Sequence, residues 1–253
     1  MRSSELRLEV ADGIATITIH RPQVRNAISL AMWEAIPEVM AAVTHDAAVR
    51  AVVVRGAGDR AFASGADISE FERVRRDAAT AQAYGKLVDA ALSAIQTCPK
   101  PTVAMIYGYC VGGAVALAMA MDLRFAVPAA RLGIVYGPHA TRALVQLIGP
   151  ARAKDILFSG RIFDAREAAE MGFVNRVLPS PALEACTFEY LRRVAANAPL
   201  SVRGAKMIIE GIASGESLTE EIRGLTLEAF DSHDYREGIR AFLEKRSPHF
   251  EGR

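Results

Sequence analysis

The first twenty positions of the chain alternate apolar and polar residues, a period of two that places every second side chain on one face of a strand. The alternation covers Leu6–Val10 and Ile14–His20, and the intervening Ala11-Asp12-Gly13 is typical of a tight turn. The pattern therefore predicts an antiparallel hairpin.

The next apolar pattern has a helical period. Over Leu30–His45 apolar residues recur every three or four positions, and Asn26 or Ser29 precedes them as a candidate N-cap. Pro37 lies inside this segment and has no N–H to donate, so we expect it to kink or shorten the helix.

The middle of the chain alternates apolar runs with loops and helical segments. The predicted order is a strand at Ala51–Val54, a loop at Gly56–Asp67, a helix at Thr80–Gln96, a strand at Thr102–Tyr107, a helix at Gly112–Met121 and a strand at Leu123–Ala126. Strands that alternate with loops and helices are typical of an α/β core with crossover connections.

Helical periods dominate from Thr141 onward, apart from a short strand predicted at Phe173–Leu178. The predicted helices are Thr141–Ile148, Ala151–Phe158, Ala165–Met171, Leu183–Ala196, Ser201–Ala213, Leu218–Phe230 and Tyr235–Lys245. The last helices carry many apolar residues, which indicates that they dock on the core or on a neighbouring subunit.

Composition excludes several classes of protein. Hydrophobic residues make up 51% of the 253 positions and charged residues 23%, which excludes a mainly disordered chain. A net charge of +1 gives no overall attraction to nucleic acid or anionic membranes, so we expect neither partner. The longest small and apolar run, Cys110–Met121, is too short to cross a bilayer.

The remaining local signals favour a cytoplasmic enzyme without a metal or a separate cofactor. Cys98, Cys110 and Cys186 are too widely spaced for a disulfide framework, and no signal peptide precedes the first strand. No pair of histidines has metal-ligand spacing, and no P-loop or hydrolase nucleophile motif occurs. The segment from Gly56 to Ala61 fits the dinucleotide-binding spacing, but no helix is predicted to begin there, so we expect no nicotinamide site.

Two glycine-rich loops each follow an apolar strand directly. They cover Ala61–Ile68 and Gly108–Ala114, and Gly112-Gly113 begins a helix of small residues whose free N–H groups favour negative charge. One N–H from each loop, aimed at a shared point, would form an oxyanion hole. The alternative is that the small residues only let the helices pack tightly on the sheet, but two such loops on consecutive strands favour a function.

Several motifs occur in a characteristic order and spacing. They are Arg21-Pro22 with Asn26-Ala27, Ala61-Phe62 with Gly65-Ala66-Asp67-Ile68, Gly108-Tyr109 with Gly112-Gly113, Asp122-Leu123-Arg124, Ala168 with Met171-Gly172-Phe173-Val174-Asn175, and Glu237-Gly238 with Ala241-Phe242 and Glu244-Lys245-Arg246. With these motifs the sequence resembles the enoyl-CoA hydratase/isomerase (crotonase) superfamily over nearly its whole length.

The resemblance implies a crotonase-like α/β fold, a spiral of ββα units in a core at residues 1–190. It also implies a helical C-terminal region at 191–253 that makes a homotrimer or a dimer of trimers. The implied ligand is an acyl-CoA of fatty acid metabolism, with coenzyme A as part of the substrate rather than a cofactor. The N–H groups of Ala66 and Gly113 would hold the thioester oxygen. The other substrate-binding positions would be Arg25, Ala63, Gly65, Asp67, Ile68, Gly112 and Lys245.

Alternative interpretations apply to the charged members of this set. Arg25 and Lys245 match positions that meet the CoA phosphates, but each is equally well explained as a solvated surface cation. For Asp67, ordering of its own loop or capping of the next helix is a better interpretation than service as an acid.

The sequence departs from the family pattern at both glutamates that hydratases of this family use to place a water molecule. The first position is Ala116, and the second falls in a shortened stretch before Tyr136, with no carboxylate between Arg131 and Gly149. Hydration needs an acid and a base within hydrogen-bond reach of the water. We therefore do not expect hydration by the two-glutamate route.

Other side chains are candidates for proton transfer. Tyr136, His139 and Arg142 recur at three-residue spacing and are expected to share a face. Tyr136 or His139 would serve a decarboxylase or a thioester hydrolase, and isomerisation also stays open. A further alternative is a member that binds acyl-CoA without turnover. For His139 and Arg142, a polar helix start facing solvent is a slightly better explanation than catalysis.

Overall fold

The structure is a computed structural model that describes residues 4–127, 131–133, 137–215 and 220–253. The predicted hairpin is confirmed, with strands β1 (Leu6–Ala11) and β2 (Ile14–Ile19) in antiparallel register. Asp12 and Gly13 form its turn with φ of 51° and 74°. Two positive φ angles match the right-handed twist of the strands, which explains why Asp-Gly suits this position.

Helix α1 (Leu30–His45) has the predicted bounds. The Ser29 hydroxyl accepts a hydrogen bond from the N–H of Met32, so Ser29 rather than Asn26 is the N-cap. Pro37 does not shorten the helix, because the element continues for two further turns beyond it. Burial of Trp33, Met40 and neighbouring apolar residues holds the helix in place despite the missing donor.

A six-stranded sheet forms one layer of the core. Its further strands are β3 (Ala51–Gly56), β5 (Thr102–Ile106), β7 (Leu123–Ala126) and β10 (Arg176–Val177), and the order is β1-β2-β3-β5-β7-β10. In this sheet every pair of neighbouring strands after the β1–β2 hairpin is parallel. Both faces are covered, which explains why β3 and β5 are continuous apolar runs rather than alternating ones.

A second, smaller sheet was not predicted from the sequence. It contains β4 (Ala61–Ala63), β6 (Tyr109–Cys110), β8 (Arg131–Leu132) and β9 (Phe163–Asp164) in the order β4-β6-β8-β9. The expectation that Gly56–Asp67 is only a loop is thus wrong at β4. The same strand confirms that no helix begins at the dinucleotide-like spacing of Gly56 to Ala61.

After the first hairpin and α1, three successive turns of the chain each add one strand to the large sheet, one to the small sheet and then a helical segment. β3 and β4 lead to α2 (Phe71–Val74) and α3 (Ala78–Gln96), and β5 and β6 lead to α4 (Gly113–Met119). β7 and β8 lead to α5 (Pro138–Ile148). This repeat confirms the predicted spiral of ββα units. It also brings the ends of β4 and β6, where both glycine loops begin, next to each other.

Helices form most of the rest of the chain: α6 (Pro150–Ser159), α7 (Ala165–Glu170), α8 (Ser180–Ala195), α9 (Pro199–Ser214), α10 (Glu220–Asp231) and α11 (His233–Leu243). Helix α8 packs on the large sheet through the buried residues Leu183, Thr187 and Leu191. The boundary predicted at residue 190 therefore falls inside one continuous helix. The predicted trimer-forming role of the helices beyond it stays a prediction.

The last residues fold back onto α11. Both carboxylate oxygens of Asp234 accept backbone N–H groups, from Glu251 at 2.7 Å and Gly252 at 2.8 Å. Glu237 binds the guanidinium of Arg246 with distances of 2.6 and 2.9 Å. Two buried carboxylates thus hold the segment that follows α11.

Candidate active site

The two glycine loops leave neighbouring parallel strands at the same edge of the small sheet. β4 pairs with β6 through Ala61–Tyr109 and Ala63–Cys110, and the Val111 N–H donates to the Ala63 carbonyl at 3.3 Å. Because both strands run the same way, the loops that follow them meet. The structure thus brings together the residues that the sequence placed in two separate motifs.

Gly65 and Gly113 lie at the point of closest approach. A Cβ added to Gly65 would lie 2.9 Å from the Val111 carbonyl oxygen and 3.4 Å from the nitrogen of Gly113. Gly65 also has φ of 96°, which other residues rarely adopt. Only glycine therefore lets the loop of β4 approach the start of α4 so closely.

The nitrogens of Ala66 and Gly113 lie near each other, at a separation comparable with that of two donors to one acceptor. A Cβ on Gly113 would lie 3.5 Å from the Ala66 nitrogen, and a Cβ is about 2.5 Å from its own nitrogen, so the two nitrogens are at most about 6 Å apart. Two donors that each lie about 2.9 Å from one oxygen are separated by up to about 5.8 Å. Within the described ranges of the chain, neither N–H donates to a backbone or side-chain acceptor.

Hydrogen bonds on both sides fix Ala66 in the chain. The Gly65 carbonyl accepts the Ile28 N–H at 2.8 Å, and the Asp67 N–H donates to the Ile28 carbonyl at 2.9 Å. This parallel bridge uses the Gly65 carbonyl and the Asp67 N–H, so the N–H of Ala66 itself is unused. The geometry explains how a free donor remains in a loop whose neighbouring groups are hydrogen-bonded.

Asp67 orders the loop. Its carboxylate forms an ion pair with Arg21 at 2.7 Å and accepts the hydroxyl and N–H of Ser69. Hydrogen bonds from Ser69 and Arg21 hold the pKa of the Asp67 carboxyl below its ordinary value. Asp67 therefore remains ionised near neutral pH. This placement matches the predicted loop-ordering and capping role.

Asn26 is a site residue whose role the sequence analysis missed. Its buried side chain accepts the Arg21 N–H and donates to the carbonyls of Ala57 (3.1 Å) and Ala61 (2.8 Å). It clamps the turn after β2 to both ends of the segment that leads into β4. The motif from Arg21-Pro22 to Asn26 is visible in the sequence, but the clamp depends on contacts with residues more than thirty positions away.

The buried Trp33 ring packs against the second glycine loop at Gly113. It is 1% exposed, and a Cβ on Gly113 would lie 3.3 Å from its Cζ2 atom. The ring therefore limits how far the start of α4 can move. Its indole N–H faces the buried Tyr84 phenol, and this hydrogen bond opposes the rise that burial causes in the pKa of Tyr84.

The remaining predicted binding residues have different surroundings. Ala63 is fully buried in β4, whereas Ile68 is 75% exposed just beyond the loop. The Arg25 guanidinium lies 5.3 Å from the centroid of the exposed Tyr109 ring, and the Arg25 carbonyl accepts the Ser64 N–H. Arg25 thus borders the glycine loops. Lys245 lies at the exposed end of α11, and none of its described contacts reaches these loops.

No side chain of α4 supplies the first hydratase carboxylate. Ala116 lies one turn after Gly113, 6% exposed. Tyr136 falls outside the described residues, as do Ile134 and Val135 of the shortened stretch before it.

His139 and Arg142 line a cleft of about 710 Å³ together with residues of α3 and α9. The His139 ring pairs with the Gln96 side chain at 3.1 Å. The predicted shared face of His139 and Arg142 is therefore present, but their described contacts are with this cleft and not with the glycine loops. Their role in proton transfer stays a prediction.

Among the described residues, no three His, Cys, Asp or Glu side chains are grouped closely enough to bind a metal ion. No helix in the same ranges combines the length and apolarity needed to cross a membrane.

Comparison with known proteins agrees with this geometry. The family profile described as enoyl-CoA hydratase/isomerase matches residues 9–253. The crotonyl-CoA hydratase of Syntrophomonas wolfei is 31% identical, with 99% of each chain covered. A solved enoyl-CoA hydratase/isomerase family protein from Hyphomonas neptunium is 40% identical with a TM-score of 0.94, covering 98% of each chain. A solved enoyl-CoA hydratase/carnithine racemase from Magnetospirillum magneticum is 36% identical with a TM-score of 0.95, covering 99% of this chain and 97% of its own.

Proposed function

This chain belongs to the enoyl-CoA hydratase/isomerase family, and on that premise we propose that it binds an acyl-CoA thioester and stabilises an enolate of it. The observation that carries the proposal is the pair of unused N–H groups of Ala66 and Gly113 beside each other. Both would donate to the thioester oxygen.

The chemistry follows from where charge develops. When a bond at the carbon next to the thioester breaks or forms, an electron pair moves toward the thioester oxygen. Two preorganised amide donors stabilise that charge without having to reorient during the reaction. The Asp67–Arg21 ion pair and the Ile28 bridge keep the first donor in place, and Trp33 limits movement of the second.

The reaction that we propose is an enolate-forming one that needs no pair of carboxylates. Isomerisation and decarboxylation form such an enolate. Thioester hydrolysis, the alternative, passes through a tetrahedral intermediate instead, with the negative charge on the same oxygen. Two-glutamate hydration is disfavoured because Ala116 offers no proton donor or acceptor.

The experiment compares crotonyl-CoA, a 3-enoyl-CoA and methylmalonyl-CoA as substrates, and also follows release of free CoA. We expect the protein to convert at least one of these substrates by a reaction other than hydration. Gly113→Pro removes the second N–H at the first residue of α4, where proline is tolerated, and should lower kcat about 10²–10³-fold. Gly113→Ala keeps the N–H but adds a Cβ 3.3 Å from Trp33, so it is the control for that contact and should lower kcat much less. The control is Ala78→Pro, the same change at the first residue of α3, which should leave kcat unchanged.

Rapid hydration of crotonyl-CoA that Gly113→Pro does not slow would contradict the proposal. A second candidate function is acyl-CoA binding without turnover, favoured by the buried alanine at position 116. Saturable binding of butyryl-CoA together with no turnover of any panel member would select this candidate.

A further inference from the structure

Tyr84 is a buried tyrosine of α3 that faces the single tryptophan of the chain, Trp33 of α1. The Trp33 indole N–H donates to the Tyr84 phenol. Burial is the main influence on the phenol and raises the pKa of Tyr84, so the group stays neutral near pH 7. A hydrogen bond between two buried side chains fixes the orientation of both rings.

The edge of the Trp33 ring that carries this N–H also meets the second glycine loop. A Cβ on Gly113 would lie 3.3 Å from the Trp33 Cζ2 atom, tighter than an ordinary contact. In the rigid indole a single ring carbon separates Cζ2 from Nε1. The hydrogen bond that holds Nε1 therefore also holds the atom that lies against Gly113.

The Tyr84 phenol is held from the side of the first glycine loop as well. The guanidinium of the exposed Arg75 hydrogen-bonds the phenol, and its carbon lies 4.5 Å from the ring centroids of Phe71 and Tyr84. Phe71 begins α2, which the turn Ile68–Glu70 joins to the first glycine loop. Tyr84 thus connects the segment that leaves the first loop with Trp33, which contacts the second.

The backbone that carries Trp33 is anchored without Tyr84. The Glu70 carboxylate accepts the N–H of Leu30, the first residue of α1, at 2.6 Å. Trp33 lies about one helical turn further along. The contribution that is specific to Tyr84 is therefore the orientation of the Trp33 ring and not the position of the helix.

We infer that Tyr84 is a positioning residue of the oxyanion site, whose phenol orients the Trp33 ring and through that ring sets the position of the Gly113 N–H. This inference rests on the proposed function, because it assumes that the thioester oxygen accepts from Ala66 and Gly113. It extends the site to a side chain of α3 that touches neither loop. Oxyanion donors act through preorganised geometry, and a hydrogen bond weakens steeply as its angle departs from linearity.

The first measurement is the fluorescence of Trp33, since the single tryptophan of the chain is its own reporter. Tyr84→Phe removes only the phenol oxygen and should move the emission to shorter wavelength, because the indole N–H loses its polar partner. Tyr190→Phe is the matched control, since Tyr190 also lies beside an arginine and a phenylalanine, Arg176 and Phe125. It belongs to α8 and should leave the emission unchanged.

The second measurement is the carbonyl stretch of ¹³C-labelled butyryl-CoA, compared by infrared spectroscopy between the free and bound thioester. Tyr84→Phe should reverse part of the shift that binding causes, and Tyr190→Phe should reverse none. Trp33→Phe should also reverse part of it, and adding Tyr84→Phe to Trp33→Phe should have no further effect. A merely structural role would lower the urea midpoint of Tyr84→Phe without moving the stretch.

The inference fails if Tyr84→Phe leaves the emission or the stretch at the wild-type value, or moves the stretch equally with and without Trp33. In each of these cases the proposed function stands. An unchanged stretch in Trp33→Phe also overturns the inference, which keeps it testable should Tyr84→Phe not fold. If binding to wild-type protein does not shift the stretch at all, the proposed function fails and the inference fails with it.

Discussion

At the scale of single residues, polar side chains position the site without forming its donor pair. Asn26 and Asp67 use almost all their hydrogen-bonding capacity on the turn after β2 and on the first glycine loop. Removing one partner from such a network leaves others buried and unsatisfied, which costs more than the bond itself contributes. The sequence indicated loop ordering for Asp67, since capping is local, but not the long-range clamp of Asn26.

A pH dependence of stability follows from Glu237. Hydrogen bonds from Arg246 and the His249 N–H lower the pKa of Glu237 from 4.5 to about 2. A carboxyl whose pKa is lower in the folded state stabilises it fully above the unfolded value, and the effect is lost as pH falls through the folded value. Glu237→Gln should therefore be less stable than wild type at pH 7. The difference in the free energy of unfolding between the two proteins should shrink as the pH falls from 4.5 to 2.

Urea unfolding midpoints of wild type and variant at pH 7, 4.5 and 3 measure this difference in stability. Glu9→Gln, a change at an exposed position of β1, should have almost the same midpoint as wild type at each pH. An equal gap for Glu237→Gln at pH 7 and pH 3 would show that the carboxylate charge contributes nothing.

At the scale of elements, periodicity predicted the long helices and the strands of the large sheet but not the small sheet. β4, β6, β8 and β9 contain only two or three residues, too few to show a period of two. Their pairing depends on the spiral, which brings distant segments side by side. The glycine loops were recognisable by composition, yet their contact required that pairing.

Close approach of the two loops makes Gly65 sensitive to a single methyl group. Gly65→Ala should lower the free energy of unfolding by about 1–3 kcal/mol, because alanine disfavours the positive φ and its Cβ meets the Val111 carbonyl. It should also weaken acyl-CoA binding by displacing Gly113. Thermal and urea unfolding, together with calorimetry, measure both effects.

The matched control is Gly85→Ala, in the interior of α3, where an added Cβ meets nothing within 4 Å. Helix propensity alone should stabilise this variant by about 0.5–1 kcal/mol. Should Gly65→Ala prove as stable as wild type with unchanged binding, the loops do not touch as described.

At the scale of the whole molecule, exposed apolar side chains concentrate on the last three helices. Ile209, Ile212, Phe242 and Leu243 are each more than 60% exposed, and α9 and α11 line an apolar groove of about 710 Å³. Large exposed apolar patches mark association surfaces. This distribution indicates that the last helices form an association surface, and the homotrimer stays a prediction.

Sedimentation velocity tests association of these helices. We expect wild-type protein to sediment as a trimer or a multiple of it, and Phe242→Glu to shift it toward monomer, since burying an unpaired charge in an interface is unfavourable. Phe158→Glu on α6 is the control, because Phe158 is 84% exposed against 83% for Phe242. Monomeric wild-type protein would refute the prediction.

The most direct test of the shared oxyanion site is the carbonyl stretch of a ¹³C-labelled thioester, followed by difference infrared spectroscopy as butyryl-CoA binds. Donation from Ala66 and Gly113 should polarise the carbonyl and move its stretch to lower wavenumber than in water. Gly113→Pro should reverse part of that shift, whereas Ala78→Pro should reverse none. A bound thioester whose carbonyl stretch equals that in water, or is unaffected by loss of the Gly113 N–H, would contradict the account.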